Sequence, residues 1–104
     1  MTNTQTAMTH NVFFWLKENT INSKFEAEAK KLIEIDIVES GSLRKLAETP
    51  ERPVTDKTFT YHLCLEFESI ENHNTYQGHE THHSFVNECK EMWDRVIVYD
   101  SKVI

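Results

Sequence analysis

His10-Asn11-Val12-Phe13-Phe14-Trp15-Leu16-Lys17 is rich in aromatic and aliphatic side chains on both of its alternating faces, and that property decides the fold. Extended, it places His10, Val12, Phe14 and Leu16 on one side and Asn11, Phe13 and Trp15 on the other. A short apolar run with no helical period is a strand, and one that is apolar on both faces has to be covered on both. A domain of 104 residues has one hydrophobic core and one layer of helices to offer. The second apolar face therefore calls for another partner, and a second copy of the chain is the simplest one.

The segments around this strand fall into place by period and punctuation. Residues 1–9 carry no periodicity and read as a disordered N-terminal tail ahead of a single domain over 10–104. Ser23 and Glu26 have capping-box spacing and open an amphipathic helix that presents Phe25, Ala29, Leu32 and Ile33. Val38 to Leu46 reads as a weak strand bent at Gly41, and Ala47 to Lys57, with Pro50 and Pro53, as a loop. Thr58 to Phe67 is the second strong strand, with Tyr61, Leu63, Leu65 and Phe67 on one face and Thr60, His62, Cys64 and Glu66 on the other. Ser69 caps a short helix ended by Gly78, a second helical segment presents Phe85, Val86, Cys89, Met92 and Trp93, and Val96 to Asp100 is the last strand. The order strand, helix, strand, strand, broken helix, strand predicts an α+β, ferredoxin-like βαββαβ unit with an antiparallel four-stranded sheet.

Composition narrows the partners. A net charge of −6 with no basic run argues against nucleic acid or an anionic membrane surface. No apolar run approaches the ~20 residues of a membrane span, and residues 1–9 lack the charged and greasy regions of a secretory signal, so the cytoplasm is the expected compartment. Cys64 and Cys89 sit far apart among apolar neighbours and read as two reduced thiols packed as small hydrophobes.

The candidate chemistry lies in Tyr76-Gln77-Gly78-His79-Glu80-Thr81-His82-His83-Ser84-Phe85. Its His79-Glu80-x-x-His83 string matches a zinc-peptidase motif, which needs an unbroken helix and a third ligand. Gly78 breaks the helix just before it, and Ser84 to Glu88 lacks the extended His-x-x-Gly-x-x-His continuation, so no metal is expected. Tyr76 and His82 balance between packing and chemistry; His79 and His83 read as surface or helix-capping residues, His10 as a hydrogen-bonded core histidine, and His73 as solvent-exposed.

Several of these segments together resemble the stress-responsive dimeric A/B barrel domain family: His10-x-Val12-Phe13-Phe14-x-Leu16-Lys17, Leu65-Glu66-Phe67-Glu68-Ser69, Tyr76-Gln77-x-His79-x-x-His82-x-x-Phe85 and Val98-Tyr99-Asp100. The resemblance spans His10 to Asp100 and implies a homodimer whose two sheets close into a dimeric α/β barrel with the helices outside. A plant branch of the family is a polyketide cyclase that closes an aromatic ring by aldol condensation without a cofactor. By that resemblance its histidine base corresponds to His82, its tyrosine to Tyr76 and a supporting first-strand histidine to His10. Its third-strand histidine aligns with Tyr61, while His62 falls on the opposite face. Glu80 replaces a proline common in the family and is expected to put a charge beside His82.

The expected function is binding of a small hydrophobic or carbonyl-bearing molecule, with Tyr76 and His82 catalytic and His10 and Tyr61 binding substrate. Whether the chain is an enzyme stays open. The enzymatic form of the reading is cofactor-free acid–base chemistry of cyclase, lyase or isomerase type. A non-catalytic dimeric stress or partner-binding module is the alternative, and a cofactor-free monooxygenase a third.

Overall fold

The computed structural model describes residues 7–104. Its elements run β1 (Met8–Leu16), α1 (Asn22–Ile33), β2 (Ser40–Arg44), β3 (Tyr61–Phe67), α2 (Ile70–Gln77), α3 (Glu80–Cys89), a 3-10 turn over Lys90–Met92 and β4 (Trp93–Lys102). The strands make one antiparallel sheet in the order β2-β3-β1-β4, the ferredoxin-like arrangement expected from the sequence.

The run that decides the fold thus becomes an interior strand, hydrogen-bonded along both edges. Met8, His10, Val12 and Phe14 are buried, while Asn11, Phe13 and Trp15 on the other face are half-buried. The buried side receives Phe25, Ala29 and Leu32 of α1, Tyr76 of α2, and Phe85 and Cys89 of α3. Phe25 meets Phe14 edge to face at 5.0 Å and stacks on Tyr61 at 4.9 Å, so aromatic contacts tie α1 to two strands. Both thiols are free, with Cys89 buried and Cys64 half-buried. Among the described residues no helix is long and apolar enough to cross a membrane.

Several boundaries differ from expectation, each for a physical reason. Met8 and Thr9, expected in the tail over 1–9, instead pair with Phe67 and Glu66, and Met8 reaches the core; the rest of that expectation, over residues 1–6, lies outside the described residues. The capping box is not formed: α1 starts at Asn22 with no side-chain cap, and Glu26 instead accepts a hydrogen bond from the Tyr61 hydroxyl at 2.5 Å. A phenol donating to a carboxylate is a charge-assisted bond, about twice as strong as the neutral kind.

β3 starts only at Tyr61. Upstream of it the Trp15 Nε1–H donates to Thr58 Oγ1 at 2.7 Å, and the Leu16 N–H donates to Thr60 Oγ1 at 3.0 Å. The Thr60 N–H still donates to the Phe14 carbonyl at 2.7 Å, and beyond it threonine side chains carry the pairing. Met92 and Trp93, expected on the second helical segment, leave it: Met92 closes the 3-10 turn and Trp93 opens β4 opposite Leu16. The last strand then lengthens to Trp93–Lys102 by pairing along the whole of β1.

Gly41 does not mark a bend. It pairs with Leu65, and a Cβ at this position would come within 2.6 Å of Leu65 Cδ2 and 3.1 Å of the Cys64 carbonyl oxygen. The missing side chain is what lets β2 approach β3 over a fully buried leucine. Gly41→Ala should therefore destabilise the chain by roughly 1–3 kcal/mol, as overpacking does. Urea denaturation followed by circular dichroism measures this, and an unchanged midpoint would contradict the close approach.

Candidate functional site

Tyr76 lies in the last turn of α2 and His82 in the first turn of α3, with the helix interrupted between them at Gly78 and His79. On one unbroken helix, residues six apart would sit roughly 120° apart around the axis. The break is built by caps at both ends. Ser69 Oγ accepts from the Asn72 N–H at 3.1 Å to start α2, and His79 Nδ1 accepts from the Thr81 N–H at 3.0 Å to start α3. Released from a common helix, the Tyr76 and His82 rings meet edge to face at 5.0 Å.

They do so in a cavity of about 180 Å³ between the sheet and the α2–α3 pair. Its walls include Val12, Phe14, Leu63, Phe85 and Val98, and its polar groups come from His10, Tyr76, Gln77, His82 and Trp93. Among the described residues, two buried polar atoms have no hydrogen-bond partner, His82 Nδ1 and Trp93 Nε1, and both residues line this cavity. Buried polar atoms are ordinarily satisfied, so two orphans in one small space are a signal for a ligand.

Electrostatics keep the groups neutral. Burial, then the neighbouring His83, His10 and His73, lower the pKa of His82, with the Gln77 backbone opposing. Burial alone pushes the Tyr76 phenol far above its ordinary value, and Tyr76 is 1% exposed. His10 is buried under the sheet's helical side, and its Nδ1 donates to Asp100 Oδ1 at 2.5 Å. Its pKa is lowered because burial outweighs the raising effect of that carboxylate. At neutral pH the cavity holds two imidazoles free of charge and a phenol that keeps its proton.

Three sequence-predicted site residues are thus brought together, His10, Tyr76 and His82, with the His10 and Tyr76 rings at 6.0 Å. Tyr61 is not. It stands opposite Phe14, four residues along β3 from the Leu65 that faces His10, or roughly 13 Å at ~3.3 Å per residue. There it borders a separate depression with Glu26, Lys30 and Arg44. Burial first, then the bond to Glu26, pushes its phenol up to about 12. His62 lies on the opposite sheet face, stacked on Phe13 at 4.2 Å with its Nε2 2.8 Å from Asn11 Oδ1.

Glu80, expected beside His82, is exposed in the first turn of α3, where the helix dipole favours an acid. His79 is the α3 cap and His83 is exposed, so the peptidase-like string gathers no ligands. His73, expected in solvent, is half-buried with its ring 4.6 Å from that of His10. Trp93 and Gln77 were not legible as site residues. Trp93 reads as a helical core residue until β4 is seen to begin with it, and Gln77 stands in the family segment with no role assigned to it.

A family model for the stress responsive A/B barrel domain matches residues 8–103. The chain belongs to the stress-responsive A/B barrel domain family. No curated protein matches it significantly. Among solved structures it resembles a family member with a ferredoxin-like fold from Mesorhizobium loti, at 21% identity and a TM-score of 0.78 over 96% of this chain and 99% of that one. It also resembles the hydroxynitrile lyase of Passiflora edulis, at 14% identity and a TM-score of 0.80 over 96% and 95% of the two chains. A dimeric ferredoxin-like protein of unknown function from Thermobifida fusca matches at 10% identity and a TM-score of 0.76 over 94% and 92%. At these identities the likeness is one of fold.

The lowered histidine pKa values make a pH prediction. His10, His62 and His82 all fall below the ordinary 6.5, so the unfolded chain binds more protons than the folded one beneath that pH. Their contribution is complete above pH 6.5 and is lost as pH falls through the lower folded values. The melting temperature should drop on acidification below about pH 6.5, and less steeply in His82→Gln. Equal slopes for the two proteins in scanning calorimetry would contradict the burial of a neutral His82.

Proposed function

We propose that this member of the A/B barrel family binds a compact, single-ring or similarly sized carbonyl compound under its helices and acts on it by cofactor-free acid–base chemistry. The observation that carries the reading is the pair of orphaned buried nitrogens, His82 Nδ1 and Trp93 Nε1, in a cavity shared with Tyr76. The space of about 180 Å³ is close to the ~150 Å³ known to accept benzene and fits a single ring. The size therefore favours a product or substrate with one ring.

In the proposed step, neutral His82 removes a proton α to the carbonyl, and Tyr76 donates a hydrogen bond to the oxyanion that develops. The apolar walls strengthen that bond by keeping water away. Trp93 Nε1–H is a second donor for the same or a neighbouring oxygen. A lyase, isomerase or cyclase outcome depends on which bond of the enolate breaks or forms next. The hydroxynitrile lyase among the structural neighbours supports lyase chemistry as compatible with this fold.

The functional unit is proposed to be a homodimer closed through the sheet face that the helices leave open. Phe13, Trp15, Ile97 and Tyr99 share that face with His62 and Cys64, and Tyr99 is 61% exposed. An apolar sheet face of this kind marks an interface, and a dimeric neighbour of the same fold supports it.

Benzaldehyde serves as the binding probe. By heteronuclear NMR titration it should shift amides of α2, α3 and β4, and Tyr76→Phe or Trp93→Phe, each removing one donor to the carbonyl oxygen, should weaken binding by roughly tenfold, one hydrogen bond's worth. Tyr76→Phe should leave the melting temperature nearly unchanged, since the ring and its packing remain. Absence of any shift up to solubility, or unaltered affinity in both variants, would overturn the reading.

A further inference from the structure

We propose that His10, His73 and Asp100 form a binding site for a divalent transition ion of the zinc class, at the end of the sheet beside the cavity. One ligand atom from each of the three residues lies within 4.8 Å of the others. They come from β1, α2 and β4, so an ion here would join the central strand, the edge strand and a helix. This proposal does not rest on the acid–base reading and is tested separately from it.

The donor set and its setting fit such an ion. Two imidazoles and a carboxylate suit zinc, iron, nickel and copper better than the all-oxygen cations. His10 is 4% exposed and held in place by the sheet, whereas Asp100 is half-exposed at the edge and free to swing. The present His10 Nδ1 to Asp100 Oδ1 distance of 2.5 Å has to open by under 1 Å to reach the ~3.3 Å separating two ligands in a tetrahedral shell with ~2.0 Å bonds. Three protein ligands leave a fourth position. It faces an open depression of about 330 Å³ lined by His73, Asp100, Met8 and Ile70, which admits water or an exogenous ligand.

Outer support is present as well. His73 Nδ1 lies 3.0 Å from Asn74 Oδ1, and the Gln77 amide nitrogen lies 3.5 Å from His10 Nε2 and 3.4 Å from His73 Nε2. Metal-binding histidines ordinarily have their second nitrogen held in this way, which fixes tautomer and ring orientation. Gln77, its amide turned over, accepts from His10 Nε2–H, and Asn74 accepts from His73 Nδ1–H, which leaves His10 Nδ1 and His73 Nε2 for the ion. A plain His10–Asp100 hydrogen bond gives no reason for a third ligand; His73 distinguishes the two.

The probe is Zn²⁺ titrated calorimetrically into the full chain near pH 7.5, with Co²⁺ as the spectroscopic substitute. The expected result is one ion per chain, a higher melting temperature in excess zinc, and affinity lowered at least about tenfold by His73→Ala and by Asp100→Asn, with His83→Ala unchanged. Co²⁺ should give visible bands of nitrogen and oxygen ligation with no thiolate charge-transfer band. No heat and no thermal shift with about 100 µM zinc would overturn the proposal, as would affinity that survives both ligand variants. A thiolate band in the wild-type Co²⁺ spectrum would overturn it even if a variant failed to fold.

Discussion

The need to cover both faces of one strand is the constraint on which the rest of the molecule depends. β1 is hydrogen-bonded to β3 and β4, so it cannot rotate to hide one face at the expense of the other. Fully burying an aromatic or large aliphatic side chain is worth roughly 1.5–3 kcal/mol, so leaving a whole face of them wet is costly to a small domain. The inner face is answered within the chain, by Phe25, Leu32, Tyr76 and Phe85. The outer face is answered only in part: Phe13 stacks on His62, and the Arg95 guanidinium lies 4.5 Å from the Trp15 ring. These contacts shield the rings without excluding water from the sheet, and the proposed dimer would complete the cover.

The candidate site is a by-product of how the inner face is filled. α2 and α3 replace what could have been one helix, and the break between them turns Tyr76 and His82 toward the same space. Trp93 closes that space because the chain leaves α3 through a tight 3-10 turn and enters β4 directly. Packing is therefore incomplete where these elements meet, and apolar walls there surround two histidines and a tyrosine whose charges burial suppresses. That combination, a neutral imidazole and a proton-holding phenol between apolar walls, is what the proposed enolate chemistry requires.

Most of the fold was legible in the sequence because its signals are local and periodic. The alternation of His10 to Leu16 and of Tyr61 to Phe67 predicts which side chains are buried, and Ser69 and Gly78 mark the ends of α2 as expected. What was not legible depends on contacts between distant segments. Glu26 has the spacing of a cap yet bonds Tyr61, and Gly41 has the look of a bend yet is needed for clearance over Leu65. Tyr76, His82 and His10, singled out through the family resemblance, line one cavity. His73 and Asp100 read as a surface histidine and a strand-end acid, since only the pairing of β1 with β4 and the docking of α2 bring them to His10.

The same distinction explains the peptidase-like string. Spacing in sequence implies a ligand face only on a continuous helix, and here His79 is spent on capping α3. The histidines that converge, His10, His73 and His82, belong to three different elements.

Light scattering on the purified chain at micromolar concentration tests the central constraint most directly, comparing it with a Phe13→Glu variant that places a charge on the open sheet face. If both faces of β1 are buried in the working protein, the wild type has twice the 12.3 kDa mass of one chain and the variant shifts to a monomer. A wild type that scatters as a stable 12.3 kDa species would contradict the account.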